Sequence, residues 1–132
     1  MTPCTLVVDG DPTHARMLVE SLLEAGWNAC AATGIGDALA RMRENPPTLI
    51  VSDVRMDDGN GFDLLRAIRA HGDRVPVILM SSFSTSATPQ QASAAGAYAY
   101  LAKPFSLDDL ISLVNRAHGN AFFPPTSSSQ PT

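Results

Sequence analysis

Five short apolar runs alternate strictly with five segments of helical periodicity, and this order constrains the fold more than any single motif. The runs lie at residues 5–9, 28–32, 48–53, 76–80 and 98–102. The third, Thr48-Leu49-Ile50-Val51-Ser52-Asp53, stays apolar almost to its end. A central parallel strand, covered on both faces, has that character. Strict βα alternation calls for a parallel sheet with helices on both faces and right-handed crossovers.

The intervening segments carry helix signals. Pro12 opens the first, with Ala15, Leu18, Val19, Leu22 and Leu23 on one face and Gly26 as its stop. Residues 34–44 form the second, ended by Asn45-Pro46-Pro47. Met56-Asp57-Asp58-Gly59-Asn60-Gly61 is turn chemistry, after which Phe62, Leu65 and Ile68 carry the third. The fourth, residues 89–95, has only an alanine stripe. Ser106 is the expected N-cap of the fifth, with Asp108 and Asp109 favourable in its first turn. The chain is then one domain over residues 4–118, with a Pro/Ser-rich tail or linker stub at 119–132 whose last residues lack periodicity. Within that stretch Phe122-Phe123 could pack back on the domain.

Net charge is −4, which argues against direct binding of nucleic acid through a basic patch. Cys4 and Cys30 are too few for a disulfide scaffold or a zinc site and read as buried reduced thiols. The N-terminus has no basic flank of a signal peptide, and no run is long enough to span a bilayer. A cytoplasmic location and no membrane partner are the default expectations.

Chemistry concentrates at the strand ends. The first and third strands end on Asp9 and Asp53, and the fifth is followed by Lys103, the sole lysine. In a parallel sheet these ends gather at one edge, where open α/β folds bind ligands. Two carboxylates and a compact ammonium there suit a phosphate and a metal ion. Each residue also has a bland reading. An aspartate at a strand end can simply start a turn, Ser81 sits among Ser82, Ser84 and Ser86, and Tyr100 can be a half-buried strand aromatic. His14, His71 and His118 lack metal-ligand spacing and read as solvated histidines. Trp27 reads as packing.

Val7-Val8-Asp9, Ile50-Val51-Ser52-Asp53, Pro76-Val77-Ile78-Leu79-Met80-Ser81 and Lys103-Pro104-Phe105 occur together in order. With these motifs the chain resembles the receiver domain of two-component response regulators over about residues 4–118. The resemblance implies a flavodoxin-like, doubly wound α/β fold: a five-stranded parallel sheet of order 2-1-3-4-5 with five flanking helices. It implies a phosphoacceptor, Asp53, that takes a phosphoryl group from the phosphohistidine of a sensor histidine kinase or phosphotransfer protein. It further implies Mg²⁺ held by Asp9, Asp53 and the backbone carbonyl of Arg55, with Lys103 on a phosphoryl oxygen. Ser81 and Tyr100 match the family's switch hydroxyl and aromatic rotor, and Lys103-Pro104 its usual cis bond. A downstream protein target, and a homodimer through the face of helix 4, strand 5 and helix 5, are the partners so implied.

This sequence departs from the family pattern at two places. Two consecutive acids usually follow the first strand, the second a direct metal ligand; here Gly10 stands in that place. Asp11 could substitute as a ligand, because residues two apart point the same way in an extended segment. It could instead cap the helix opened by Pro12, the reading favoured by both cues. Mg²⁺ binding weaker than usual is therefore expected. Asp57 replaces the usual proline after Met56, and Asp57-Asp58 read as solvated turn residues. Bulky Arg55 and Phe83, at positions that tune water access, imply slow hydrolysis of a phosphorylated form. Two functions remain: a phosphoacceptor switch, and a pseudo-receiver interaction module, for which Gly10 is the chief argument. An enzyme acting on a diffusible substrate is disfavoured, since no nucleophile–base pair or cofactor loop is present; Gly34-Ile35-Gly36 lies in the wrong context for a dinucleotide fingerprint.

Overall fold

The computed structural model describes residues 3–81 and 88–122, the last four of them as backbone only. Five strands alternate with five helices: β1 (Cys4–Val8), α1 (Pro12–Glu24), β2 (Asn28–Ala32), α2 (Ile35–Glu44), β3 (Leu49–Asp53), α3 (Gly61–Ala70), β4 (Val77–Ser81), α4 (Pro89–Ala94), β5 (Ala99–Ala102) and α5 (Leu107–Phe122). All neighbours in the main sheet pair in parallel, in the spatial order β2-β1-β3-β4-β5. This is the doubly wound, flavodoxin-like arrangement, with β1 and β3 meeting where the winding reverses.

The period of two along each strand divides the core into two layers. Leu6, Val8, Ile50, Val77 and Leu79 face one layer with Leu64, Leu65 and Ile68 of α3. Val7, Leu49, Val51, Ile78 and Met80 face the other with Leu18 and Leu22 of α1 and Leu110 and Val114 of α5. All five β4 residues are buried, and β3 is buried up to Asp53. These runs therefore read as continuously apolar rather than alternating.

Local signals set the helix ends. The Asp11 carboxylate caps α1 by accepting from the N–H groups of Thr13 at 3.0 Å and His14 at 3.4 Å. Gly26, at φ +98, ends that helix in the left-handed region that favours glycine. Helix α4 lacks a broad apolar stripe but has a capping box: Gln91 N–H donates to Thr88 Oγ at 3.1 Å, and Thr88 N–H donates to Gln91 Oε1 at 2.9 Å. Ser106 caps α5 through Asp109 N–H at 3.0 Å, as expected. The α5 backbone continues to Phe122, so the boundary drawn at residue 118 does not coincide with the end of the helix.

One expectation is refined and two need correction. The turn after β3 contains a two-residue antiparallel ladder, Arg55–Met56 with Gly59–Asn60, that folds Asp57-Asp58 into a tight corner. His118 is not solvated: it lies inside α5, 2 % exposed, stacked on Trp27 with ring centroids 4.4 Å apart. The two cysteines are free but only half-buried; burial and the neighbouring Cys30 push the Cys4 thiol up to about 11. Among the described residues no helix is long and apolar enough to cross a membrane.

Candidate functional site

The C-terminal ends of β1, β3 and β4 and the segment after β5 meet at one edge. Register fixes the meeting. Val8 pairs with Ser52 and Asp53 pairs with Met80, so Asp9, Asp53 and Ser81 emerge side by side. Ser81 pairs with Ala102, and its carbonyl accepts the Lys103 N–H at 2.6 Å. Sheet geometry alone thus draws together four residues that are far apart in sequence.

The central contact is an ion pair: Lys103 Nζ donates to Asp53 Oδ2 at 3.1 Å. The Lys103–Pro104 peptide bond is cis. Burial pushes the Asp53 carboxyl above its usual range. The Lys103 hydrogen bond and charge pull it back, the Asp9 charge pushes it up again, and the Arg55 backbone N–H stabilises the ionised form. The carboxylate faces a cleft of about 380 Å³ lined by Asp9, Gly10, Asp11, Asp53, Arg55, Met56 and Asp57. Four of these residues carry carboxylates, so the cleft suits a cation or a cation-bearing anion better than a bare anion.

Asp9 is 1 % exposed although it borders the cleft. Its Oδ1 accepts the Asp11 N–H at 2.9 Å, and its Oδ2 accepts a hydrogen bond from His14 Nδ1. The reading of His14 as a solvated histidine is therefore corrected. Capping at Asp11 places His14 in the first turn of α1, directly over the end of β1. No motif marks this contact; its only sequence signal is the Asp11-Pro12 start that brings the first turn back over the strand end.

Gly61 lets α3 begin against β3. A Cβ there would lie 2.7 Å from the Asp53 carbonyl oxygen and 3.0 Å from Leu79 Cδ2. Gly10 carries no such demand: a Cβ would meet only Thr33 O at 3.9 Å and Met56 Cα at 4.0 Å. Asp58, expected to be a solvated turn residue, is exposed but engaged. It accepts the Ile35 N–H at 3.0 Å and the Gly36 N–H at 3.1 Å, capping α2 from another loop. Those two bonds hold its carboxyl below the usual range. Asp57 lines the cleft.

Ser81 is buried at the end of β4. Tyr100 is half-buried and packs against the core layer that contains Leu79 and Ala92. His71 is exposed and ends α3, as expected of a solvated histidine. Phe83 lies outside the described residues.

The family described as the response regulator receiver domain matches residues 5–115. The acid tolerance regulatory protein ActR of Rhizobium meliloti is 32% identical over 120 residues, covering 91% of this chain and 62% of ActR. The transcriptional regulatory protein ZraR of Salmonella typhimurium is 38% identical over 112 residues, covering 85% of this chain and 25% of ZraR. The chain thus spans less than two-thirds of the length of these relatives. Among solved structures, the receiver domain of Francisella response regulator 1452 has a TM-score of 0.84 at 30% identity, covering 90% of this chain and 98% of that one.

Proposed function

Because this chain belongs to the response regulator receiver domain family, we propose that Asp53 accepts a phosphoryl group from the phosphohistidine of a sensor kinase or phosphotransfer protein. The observation that carries this reading is the Lys103–Asp53 ion pair at 3.1 Å beside buried Asp9. An Asp53 oxygen attacks phosphorus, the P–N bond breaks, and its electron pair returns to the donor imidazole. The acceptor and the phosphoryl group are both anions, so attack requires their charge to be neutralised. Lys103 supplies part of that by passing from the carboxylate to a phosphoryl oxygen.

The oxygen donors at the cleft fit Mg²⁺, a hard cation that takes one or two carboxylates and fills its remaining positions with water and phosphate. Asp9, Asp53 and the Arg55 carbonyl would hold it; Asp11 is committed to its helix cap. When bound, Mg²⁺ would neutralise charge on the phosphoryl oxygens. Among the described residues no cluster of three or more His, Cys, Asp or Glu side chains could hold a metal by itself. Weak binding follows, because Gly10 adds no carboxylate.

Ser81 would then donate a hydrogen bond to the phosphate, and Tyr100 would follow it inward. That movement would alter the face of α4, β5 and α5 on which a downstream protein or a second copy of the chain docks. Exposed Arg55 would slow hydrolysis by screening the acyl phosphate from water. The domain spans residues 4–118 in this reading, with a tail or linker stub from 119 whose first four residues continue the α5 backbone.

Intact mass after incubation with acetyl phosphate, with and without Mg²⁺, tests the proposal on the wild type and Asp53→Ala. A gain of one phosphoryl mass that needs both Asp53 and Mg²⁺ is expected. No gain at high Mg²⁺ by a folded protein would favour a pseudo-receiver. Gly10 and the His14 contact on Asp9 are the observations that speak for that second reading.

A further inference from the structure

Asp9 is the one acid next to Asp53 at the strand ends, and it is not free to receive a cation. One oxygen accepts the Asp11 N–H and the other the His14 ring. The Asp9 side chain is 2% exposed, and the ring that lies on it is 24% exposed. A cation that takes Asp9 as a ligand must therefore displace a donor, and the His14 side chain is the donor free to swing away, because the Asp11 N–H is fixed by the α1 cap. Gly10 sharpens the point. Neither its backbone nor its surroundings demand glycine, yet the side chain that would offer a cation a carboxylate beyond Asp9 and Asp53 is missing.

We propose that His14 is a built-in competitor for the cation at Asp9. The ring occupies the carboxylate in the resting domain, and binding of a divalent cation exchanges the Nδ1–H···Oδ2 bond for a metal–oxygen contact. His14 is on this view a positioning residue that raises the cation concentration at which the site fills. The inference rests on the metal site proposed above.

Titration of Mg²⁺ at one fixed pH, followed by the backbone amide shifts of residues 9–11 and 55–57, tests it on the wild type, His14→Ala and Gly10→Asp. Loss of the ring is expected to tighten Mg²⁺ binding about tenfold, the scale of one charge-assisted hydrogen bond. His14 is partly exposed on a helix, so alanine is compatible with the fold. His14→Met, of similar bulk but without a donor, repeats the test should alanine disturb it. Unchanged or weaker binding by both His14 variants, with tighter binding by Gly10→Asp, overturns the competitor role and leaves the metal site standing. No response to Mg²⁺ in any variant, Gly10→Asp included, overturns the metal site and the competitor together.

Discussion

Burial and the neighbouring Asp9 charge push the Asp53 carboxyl up, and Lys103 only partly offsets them. An acid whose pKa is raised on folding holds its proton better in the folded chain than in the unfolded one. Ionising it therefore costs stability. That cost is absent below the ordinary aspartate value of about 4 and fully present above the raised value. Asp53→Asn keeps the shape and removes the charge, and Lys103 is exposed enough to turn to water. The substitution is expected to stabilise the domain by about 1 kcal/mol at pH 7.5, as relief of a functional strain commonly does. The gain should shrink towards zero near pH 4 in urea melts. A loss of stability at pH 7.5 would mean that the ion pair outweighs the burial. Much of this was legible in the chain, because Asp9, Asp53, Ser81 and Lys103 each end or follow an apolar run. His14 was not: its partner lies five residues away across a strand-to-helix junction, and no periodicity reports such a contact.

The elements around the site are joined by a carboxylate that the sequence showed only as turn chemistry. Asp58 sits at the corner of the Arg55–Met56 and Gly59–Asn60 ladder and accepts two N–H groups at the start of α2. The first turn of a helix leaves its N–H groups unsatisfied and carries partial positive charge, which makes it a natural seat for a carboxylate. Gly34 permits the approach, since a Cβ there would lie 2.7 Å from Asp58 Oδ1. The loop that carries Arg55 and Met56 into the cleft is thus tied to a helix outside it. Asp58→Ala is expected to lower the melting temperature, and Asp57→Ala to leave it nearly unchanged. The Asp58 carboxyl is held low by the α2 amides. Its contribution is therefore present above the ordinary aspartate pKa and lost as pH falls through the lowered value, so the difference between the two variants should close in strong acid. Equal melting temperatures at pH 7 would show that the cap adds nothing. Alternation located α2 correctly, but a cap donated from 23 residues away is invisible to a pattern that reads only neighbours. The converse holds at α4, where Thr88 and Gln91 spell a local capping box that outweighs a poor apolar stripe.

Across the whole molecule the two sheet edges do different work. The C-terminal edge gathers charged groups at some cost, while the opposite edge is fastened around His118. Thr48, just before β3, accepts the Cys4 N–H at 2.9 Å and donates its hydroxyl to the Cys4 carbonyl at 3.1 Å. With its proton so committed, Thr48 Oγ accepts from His118 Nε2 at 2.6 Å. The imidazole stacks on Trp27, whose indole N–H donates to Asn115 Oδ1 at 2.8 Å. One side chain thus links the starts of β1 and β3, the end of α1 and the last turns of α5. Nothing in the sequence announced it, because a histidine near the end of a helix is ordinarily solvated and its hydroxyl partner lies 70 residues away. Burial lowers the His118 pKa. A base whose pKa is lowered on folding binds its proton better in the unfolded chain. Stability from this group is therefore full above the ordinary histidine value of about 6.5 and declines as pH falls towards the lowered one. Urea melts followed by Trp27, the one tryptophan, should show wild-type stability dropping from pH 7.5 to 5.5. His118→Gln should be less stable than wild type at pH 7.5, by about 1–3 kcal/mol for a buried polar network disturbed, yet show a much flatter pH profile over the same range. If the variant's profile remained as steep as the wild type's, the fastening would not be the group that titrates. Were it as stable as the wild type at pH 7.5, the His118 contacts would add nothing to the hold on the far edge.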